Sequence, residues 1–303
     1  MAQQDADALK KAFKGFGCDK KAIIDITVGR TFTQRMQIKE AYKSSYGKDL
    51  IKDLKSELSG NLEDGVVALF TDPIEYDASE LYGAMKGIGT NEDTLIEIIA
   101  SRPPNVLKQV ITKFKEKYNK DLEAYVKSET SGTLQKLLVA LLQCSRGTNA
   151  NPNQPQCAAT AQEIFQAGEK KIGTEESVFN KYFCTLSPSE LAAVSREYHK
   201  LTGHTIMDAI DKEFSGDSKK ALKTIVYATL SPSEYFATRV NKAVKGLGTN
   251  DHLLVRVLVS RSEIDMPQIK QYYRQLYGKD MIEDVKGDVS GEYQNLLVKL
   301  MTK

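Results

Sequence analysis

Four short glycine-containing loops in this sequence carry residue types that can hold a hard metal cation. They read KGFGCD, KGIGTN, KKIGTE and KGLGTN and begin at residues 14, 86, 170 and 245. An acidic residue follows the last glycine of every loop at the same distance of 40 positions. The pairs are Gly17 with Glu57, Gly89 with Glu129, Gly173 with Glu213, and Gly248 with Asp288. Glycine can turn successive carbonyl oxygens to one side, and Ca²⁺ prefers carbonyl and carboxylate oxygens. Loop and acid together therefore predict a calcium site.

Other interpretations of the loops explain less. A dinucleotide-binding fingerprint needs a preceding strand and a third glycine, and a P-loop needs GK[ST] after four residues; the four loops have none of these. A helix C-cap would account for one glycine in each loop, but not for the second glycine or the distant acid. The ligands of an EF-hand lie within one twelve-residue loop, and no such loop occurs here.

The loops and acids belong to longer repeats. Each acid lies in a second signature that ends in Ser-Gly: LKSELSG, VKSETSG, IDKEFSG and VKGDVSG. Both motifs recur with successive steps of 72, 84 and 75 residues. This predicts repeats at 5–72, 77–146, 159–230 and 235–303, with a linker at 147–158. The linker is rich in Gly, Asn, Pro and Gln, and it suggests two halves of two consecutive repeats each.

Each repeat has the periodicity of α-helices. In the segment 105–118, apolar residues recur at helical spacing on one face; they are Val106, Leu107, Val110, Ile111 and Phe114. Sustained alternation with period two is absent from the sequence. We expect five helices per repeat, and hence an all-α protein with about 20 helices.

Composition limits the function classes. Lys and Arg number 42 and Asp and Glu 40, so a net charge of +2 argues against a nucleic-acid binder and against docking through a polybasic segment. The N-terminal residues do not resemble a signal peptide, and no apolar run reaches transmembrane length. Four scattered cysteines without a CxxC pair argue against zinc. Catalytic motifs are also absent, so we expect no enzyme and a cytoplasmic location.

At this level of detail the chain closely resembles the annexin family. The resemblance covers residue 5 to the end, and it rests on the number of repeats, the KGxGT loops, the acid 40 residues later and the central linker. It implies four homologous five-helix repeats in a right-handed superhelical, slightly curved disk, with calcium loops on the convex face. It also implies calcium-dependent peripheral binding to anionic phospholipid membranes.

The resemblance assigns calcium ligands by position. In repeats 1, 2 and 4 it implies three loop carbonyls and one carboxylate for each site. The residues are Phe13, Gly15, Gly17 and Glu57 in repeat 1, Met85, Gly87, Gly89 and Glu129 in repeat 2, and Val244, Gly246, Gly248 and Asp288 in repeat 4. In repeat 1 a cysteine, Cys18, replaces the loop threonine. Repeat 3 has a lysine at the first glycine position and resembles a variant loop with Gly168, Lys171, Gly173 and Glu213. Thr90 and Glu92 are weaker candidates for a secondary calcium position.

The loops also predict the membrane contact. Apolar residues stand beside the glycines, and an apolar tip is useful against a bilayer interface; they are Phe16, Ile88, Ile172 and Leu247. Lysines precede three loops and can meet lipid phosphates; they are Lys14, Lys86 and Lys245. Alternatively, the apolar residues tuck into their own repeats.

Other functions remain alternatives at this stage. One is a helical scaffold that binds a protein partner and has vestigial calcium sites. Another is calcium-dependent ion conductance, because six residues match positions that line a polar channel in the family; they are Asp77, Glu80, Glu97, Arg102, Arg256 and Arg261. Buried charges need partners, so we expect these residues to pair across the two halves. The sequence leaves protein partners and self-association on the membrane open.

Overall fold

The described residues are entirely helical apart from turns and loops. A computed structural model describes residues 1–15 and 17–303, which form twenty helices and no β-strand. None of these helices is long and apolar enough to cross a membrane. The predicted all-α architecture with five helices in each repeat is thus confirmed.

The helices fall into four sets of five. Repeat 1 contains α1 (Ala2–Ala12), α2 (Lys20–Gly29), α3 (Phe32–Tyr46), α4 (Leu50–Glu57) and α5 (Gly60–Leu69). Repeat 2 contains α6 (Pro73–Met85), α7 (Glu92–Ser101), α8 (Pro104–Tyr118), α9 (Leu122–Glu129) and α10 (Gly132–Leu142). Repeat 3 contains α11 (Gln154–Ala167), α12 (Glu176–Thr185), α13 (Pro188–Thr202), α14 (Ile206–Glu213) and α15 (Gly216–Leu230). Repeat 4 contains α16 (Pro232–Val244), α17 (Asp251–Arg261), α18 (Met266–Tyr277), α19 (Met281–Asp288) and α20 (Gly291–Thr302).

The helical periodicity places apolar side chains in the cores. In α8, Leu107, Val110 and Phe114 are buried at spacings of three and four residues, as the sequence predicts. The third helix of repeats 1, 3 and 4 buries a tyrosine in the position of Phe114. The core of each repeat therefore forms around one aromatic side chain on its third helix.

The first helix of some repeats begins earlier than the predicted boundary. Helix α6 begins at Pro73 and α16 at Pro232, because proline is well tolerated in the first helical turn. Helix α11 begins at Gln154, inside the predicted linker 147–158. The Asn153 side chain accepts a hydrogen bond from the Gln156 N–H and caps this helix. The irregular part of the linker is consequently shorter than its composition suggests.

The chain forms two compact units that are not the two predicted halves. Unit 1 comprises residues 1–76 and 236–303, and unit 2 comprises residues 77–235. Unit 1 thus combines repeats 1 and 4, and unit 2 combines repeats 2 and 3. The prediction that the linker separates repeats 1 and 2 from repeats 3 and 4 is wrong, since helix packing decides the partners and linker composition does not.

Helices from both ends of the chain pack together in unit 1. Helices α2 and α5 pack against α20, and α5 also packs against α17. Glu263, from the α17–α18 turn, accepts hydrogen bonds from the Phe32 N–H at 3.0 Å and from Arg35 Nη2 at 2.8 Å. Although burial opposes ionisation, these contacts hold the pKa of the Glu263 carboxyl below its usual range. The interaction ties repeat 4 to repeat 1.

The linker contributes to the packing of unit 2. Helix α15 packs against α7, and α10 packs against α12 and α15. Arg146 donates hydrogen bonds to the carbonyls of Phe183 and Leu186, at the end of α12. The Gly147 N–H reaches the Thr185 carbonyl at 2.7 Å. The linker is therefore held against repeat 3 before α11 begins.

A carboxylate–arginine pair joins the first two helices of repeats 1 and 2. Arg30 Nε lies 2.7 Å from Asp5 Oδ2, and Arg102 Nε lies 2.7 Å from Asp77 Oδ2. Both arginines also reach the second carboxylate oxygen through Nη2, so the pairs are bidentate. The Arg30 side chain is 29% exposed, whereas that of Arg102 is 8% exposed. The second pair is therefore the more completely desolvated one.

We predict that Asp77→Ala destabilises the fold more than Asp5→Ala. Removing one partner of a buried pair leaves the other charge unpaired, at a cost of about 3 kcal/mol. In Asp5→Ala the loss of stability should be about 1 kcal/mol or less, because the unpaired Arg30 is better solvated. Chemical denaturation of both variants measures the difference. Equal losses would contradict the assigned role of desolvation.

Candidate calcium sites

Each predicted site combines a loop with the end of a helix in the same repeat. The loops join the first and second helices of the repeats. The acids are the last residues of the fourth helices; they are Glu57, Glu129, Glu213 and Asp288. Negative charge is unfavourable at a helix C-terminus, where the carbonyl groups already carry partial negative charge. Four copies of this arrangement form four electronegative positions suited to a cation.

Glycine is required in the loops by backbone conformation and not by lack of space. Gly87 has φ +108° and Gly89 φ +85°, which side chains other than glycine rarely adopt. A Cβ atom at either position would meet nothing within 4 Å. The glycines of loops 1 and 4 have similar angles, from +84° to +131°. These angles make the loop turn sharply, which is the conformation that a carbonyl-lined site needs.

A single hydrogen bond closes the loops of repeats 1, 2 and 4. In repeat 2 the Asn91 N–H donates to the Ala84 carbonyl at 2.8 Å, and Asp19 and Asn250 make equivalent bonds in repeats 1 and 4. The side chains of the same three residues cap the helices that follow. The residue after each loop thus fixes both the end of the loop and the start of the next helix.

The loop threonines connect the loops to the distant acids. The Thr90 hydroxyl lies 3.1 Å from Glu129 Oε2 and 3.3 Å from the Glu129 carbonyl oxygen. The Thr249 hydroxyl lies 2.5 Å from Asp288 Oδ2, and the Thr174 hydroxyl 2.5 Å from Glu213 Oε2. These bonds show that the 40-residue spacing brings loop and carboxylate together in repeats 2, 3 and 4.

These hydroxyl contacts extend the sequence prediction. Thr90 was expected only as a weaker ligand of a secondary calcium position, and the other loop threonines had no assigned role. The sequence signal for these contacts is the threonine that follows the last glycine in three of the loops. In the structure the hydroxyl orients the carboxylate and uses one lone pair of one oxygen, so both carboxylate oxygens keep lone pairs for a cation.

Repeat 1 makes a different contact between loop and acid. The Cys18 thiol lies 3.3 Å from the Glu57 carbonyl oxygen, and no thiol–carboxylate bond is present among the described residues. Burial, followed by the charge of Glu57, raises the pKa of this thiol. The thiol therefore stays protonated and donates to the carbonyl, but it does not orient the Glu57 carboxylate.

The loop of repeat 3 has a distinct backbone. Lys171 has a negative φ, unlike the loop glycines at its position in the other repeats. Its N–H donates to the Gly168 carbonyl at 2.9 Å, and the loop closes through a bond from Glu175 to the Ala167 carbonyl. Helix α11 ends six residues before Gly173, whereas the equivalent helices end four or five residues before the last glycine of their loops, so the connection to the next helix is one or two residues longer in repeat 3. The sequence correctly marks this loop as the variant one.

Gly168 and Glu213 are nevertheless close together. A Cβ atom on Gly168 would lie 3.3 Å from Glu213 Cγ and 3.4 Å from its Cδ. This position therefore has room for glycine alone beside the carboxylate. The predicted pairing of Gly168 with Glu213 has a geometric basis, although the Gly168 carbonyl already accepts a bond from Lys171.

The remaining predicted ligands lie at the entrance of each loop. Met85 ends α6, and its carbonyl accepts a hydrogen bond from the Tyr125 hydroxyl at 2.9 Å. A carbonyl oxygen has two lone pairs, so this bond leaves one for a cation. Phe13 follows α1 and Val244 ends α16, at the equivalent positions. No group of three His, Cys, Asp or Glu residues suited to a metal occurs in the described part of the chain.

The predicted membrane-contact residues are at the surface. The side chains of Ile88, Ile172 and Leu247 are completely exposed. The alternative, in which these residues tuck into their own repeats, is wrong because the positive-φ glycines turn the tips outward. Lys14, Lys86 and Lys245 are exposed too. Phe16 lies outside the described residues.

Two of the polar-channel candidates pair inside unit 2. Asp77 and Arg102 bind each other, as described above. In unit 1, Arg261 Nη2 lies 2.7 Å from Asp265 Oδ2, and its guanidinium lies over the ring of Phe236 at 4.5 Å. Each of these three residues thus has a partner in its own repeat, and pairing across the halves stays a prediction.

Comparison with known proteins agrees with this geometry. The sequence model of the family described as Annexin matches residues 4–69, 76–141, 159–225 and 235–300. Human annexin A11 is 43% identical over 98% of this chain and 59% of its own length. The solved structure of annexin III superposes with a TM-score of 0.97, at 36% identity over 100% of this chain and 94% of that one. A calcium-bound annexin, annexin (Sm)1, superposes with a TM-score of 0.88 at 32% identity, over 100% of this chain and 90% of its own.

The chain belongs to the annexin family. Annexins are generally non-enzymatic proteins that bind phospholipid in a calcium-dependent way. Membership confirms the predicted family, the four repeats and calcium as the ion of this family. The chain spans about three-fifths of the length of annexins A11 and A7, which are among its curated relatives.

We predict that Cys18→Thr strengthens calcium binding at the first site. A threonine hydroxyl can bond the Glu57 carboxylate as Thr90 bonds Glu129, with a net gain of about 1 kcal/mol, or about five-fold in affinity. Calorimetric calcium titration should use a background with Glu129→Gln, Glu213→Gln and Asp288→Asn, so that the first site dominates. Cys144→Ser, which removes a thiol outside the loops without adding a β-branched side chain at a positive φ, is the control. An unchanged first-site affinity would show that the hydroxyl does not preorganise the acid.

Proposed function

We propose that this chain binds anionic phospholipid membranes when calcium is present. The observation that carries the proposal is the contact between loop and distant acid, made by a threonine hydroxyl in repeats 2, 3 and 4. The sequence separates these partners by about 40 residues, and the fold places a carboxylate beside a loop of positive-φ glycines. Such a combination suits a hard cation better than a phosphate or a catalytic group.

The proposed sites leave part of the coordination shell for lipid. Three loop carbonyls and a bidentate carboxylate would supply about five of the six to eight oxygens that Ca²⁺ takes. When bound, the ion supplies a positive charge that protein oxygens and a lipid phosphate can share. The protein residues hold the carbonyls and the acid in place; in repeat 2 these are Met85, Gly87, Gly89 and Glu129. Equivalent sets are proposed in the other repeats, with repeat 3 in its variant form.

The surface of the loops supports contact with a bilayer. Ile88 and Leu247 project beyond their glycines with their entire side chains exposed. Exposed apolar tips gain free energy by entering the interface, and lysines beside them can meet lipid phosphates. A net charge of +2 provides little attraction on its own, so the sites would make binding depend on calcium. The protein would thus move from the cytoplasm to membranes as calcium rises.

We predict that Glu129→Gln combined with Asp288→Asn raises the calcium needed for vesicle binding. Each substitution removes a ligand charge, and loss of even an indirect metal partner typically costs about 10- to 100-fold in affinity. Co-sedimentation with phosphatidylserine vesicles over a calcium series measures the shift. Thermal unfolding should show that the variant remains folded.

Matched substitutions separate ligand loss from a change in net charge. Glu116→Gln with Glu283→Gln removes two exposed carboxylates from repeats 2 and 4 without touching a loop. This control should bind vesicles at the wild-type calcium concentration. Wild-type binding that is equal with and without calcium, or absent in both, would overturn the proposal. A ligand variant that binds like the control would show that the assigned acids are wrong.

We also predict that Ile88→Asp with Leu247→Asp weakens vesicle binding at a fixed calcium concentration. The change replaces two apolar contacts by charges that anionic lipid repels, so a loss of about ten-fold or more is expected. Calcium binding in solution should not weaken, because a carboxylate added beside a proposed site attracts the cation. Ile264→Asp alters another exposed isoleucine, outside the loops, and should have no effect. If this control weakens binding equally, the loops are not the contact surface.

A further inference from the structure

Repeat 2 has two lysines that lie on tyrosine rings beside its calcium loop. Lys120 Nζ lies 4.0 Å from the centroid of the Tyr125 ring and 5.7 Å from that of Tyr82. Lys86 Nζ lies 5.8 Å from the Tyr82 centroid. The Tyr82 ring stacks on Tyr118, with centroids 3.9 Å apart and an interplanar angle of 6°. We call these five residues the lysine–tyrosine platform.

The platform is directly connected to the proposed second calcium site. Lys86 stands between Met85 and Gly87, two of the proposed carbonyl ligands. The hydroxyl of Tyr125, whose ring carries Lys120, donates to the Met85 carbonyl at 2.9 Å. Both lysines are exposed. A ligand held at the loop of repeat 2 would therefore lie near the ammonium groups of Lys86 and Lys120.

The equivalent lysine of repeat 4 is neutralised by a carboxylate. Lys279 occupies the position of Lys120, and its Nζ lies 3.2 Å from Asp284 Oδ1. Asp284 occupies the position of Tyr125. The replacement of this aspartate by tyrosine therefore substitutes a neutral ring for the countercharge of the lysine.

Repeats 1 and 3 also place a carboxylate near the cationic side chain at this position. In repeat 1 the side chain is Lys48, whose charge, with Lys10, helps to stabilise the ionised Asp53. In repeat 3 the position holds His204, and its Nε2 lies 2.5 Å from Glu169 Oε1. The comparison of the four repeats singles out repeat 2.

The two platform lysines contact aromatic rings. Within the part of the chain that the structure describes, neither Lys86 nor Lys120 forms an ion pair with a carboxylate. A lysine over an aromatic face is held by the ring quadrupole without being neutralised. The tyrosines thus position two ammonium groups and leave them available to an anion.

We propose that the lysine–tyrosine platform binds the phosphate monoesters of a polyphosphorylated inositol headgroup. The inference rests on the proposed function, in which the lipid phosphodiester is held at the loop of repeat 2. A diester carries one negative charge, so two further cations beside it suit a headgroup with additional phosphates. Lysine is a point-charge ligand for phosphate, and each basic residue adds to attraction at an anionic membrane surface. The same chemistry is present in free inositol phosphates.

Vesicle binding tests the proposal with a matched pair of variants. Two vesicle types of equal total charge are compared over a calcium series, one containing phosphatidylserine and the other phosphatidylserine partly replaced by phosphatidylinositol 4,5-bisphosphate. Wild-type protein should need less calcium for the second type. Lys120→Gln should reduce this advantage by about five-fold, the contribution of one lysine near a membrane surface. Lys279→Gln removes the same charge in repeat 4 and should keep the advantage.

The outcomes distinguish this inference from the proposed function. Failure of wild-type protein to bind phosphatidylserine vesicles with calcium would overturn the proposed function and the inference with it. Normal binding to those vesicles without any advantage from the bisphosphate lipid would overturn only the inference. Equal losses in Lys120→Gln and Lys279→Gln would also overturn it, since the effect would then be one of general charge.

A soluble ligand identifies the source of the phosphates. Calorimetric titration with inositol 1,4,5-trisphosphate, in the presence of calcium, should give weaker binding for Lys120→Gln than for Lys279→Gln if free headgroups are recognised. If the two variants differ on vesicles but neither they nor the wild-type protein binds the soluble ligand, the platform recognises the headgroup in its lipid context. Equal soluble binding by all three proteins, with no difference on vesicles, contradicts the proposal.

Discussion

The proposed sites depend on one electrostatic constraint, the placement of a carboxylate at the C-terminus of a short helix. The helix dipole disfavours negative charge there by about 0.3–1 kcal/mol, and each repeat contains this arrangement. A hydroxyl from the loop offsets part of the repulsion in repeats 2, 3 and 4. A cation would offset the remainder, because it would interact favourably with the carboxylate and the loop carbonyls at once. The constant spacing of 40 residues thus keeps the carboxylate of each repeat at the helix end beside its loop.

The third loop shows how one residue changes that arrangement. Lysine in place of the first glycine keeps φ negative, so the chain cannot make the turn of the other loops. The helix before it ends one or two residues earlier than its equivalents, and the Lys171 N–H donates to the Gly168 carbonyl. A cation at this site would have to share that carbonyl or displace its hydrogen bond. Glu169 is meanwhile held by Tyr198 and His204, which fixes the start of the longer loop.

Most of the repeat architecture could be predicted from sequence because its causes are local. Helical periodicity, the position of glycines and the distance from loop to acid all lie within one repeat. The partners of whole repeats could not be predicted in this way, since they depend on which helix faces match after folding. Arg146 illustrates the difference: it directly precedes the predicted linker, yet it donates hydrogen bonds to the carbonyls of Phe183 and Leu186 at the end of α12. Nothing in its sequence surroundings indicates those acceptors.

Comparison of the four repeats distinguishes positions that tolerate exchange of residue type from positions that do not. The pair formed by Asp5 and Arg30 in repeat 1 is replaced in repeat 3 by Thr160 and Leu186, where neither charge remains. In repeat 4 the aspartate position holds Phe236, and Arg261 lies over its ring. Two different interactions therefore join the same pair of helices in repeats 1, 2 and 4, and repeat 3 has neither charge. The position of the acid allows no such exchange: all four copies retain a carboxylate at the same helix end, although burial alone would favour an apolar or neutral residue.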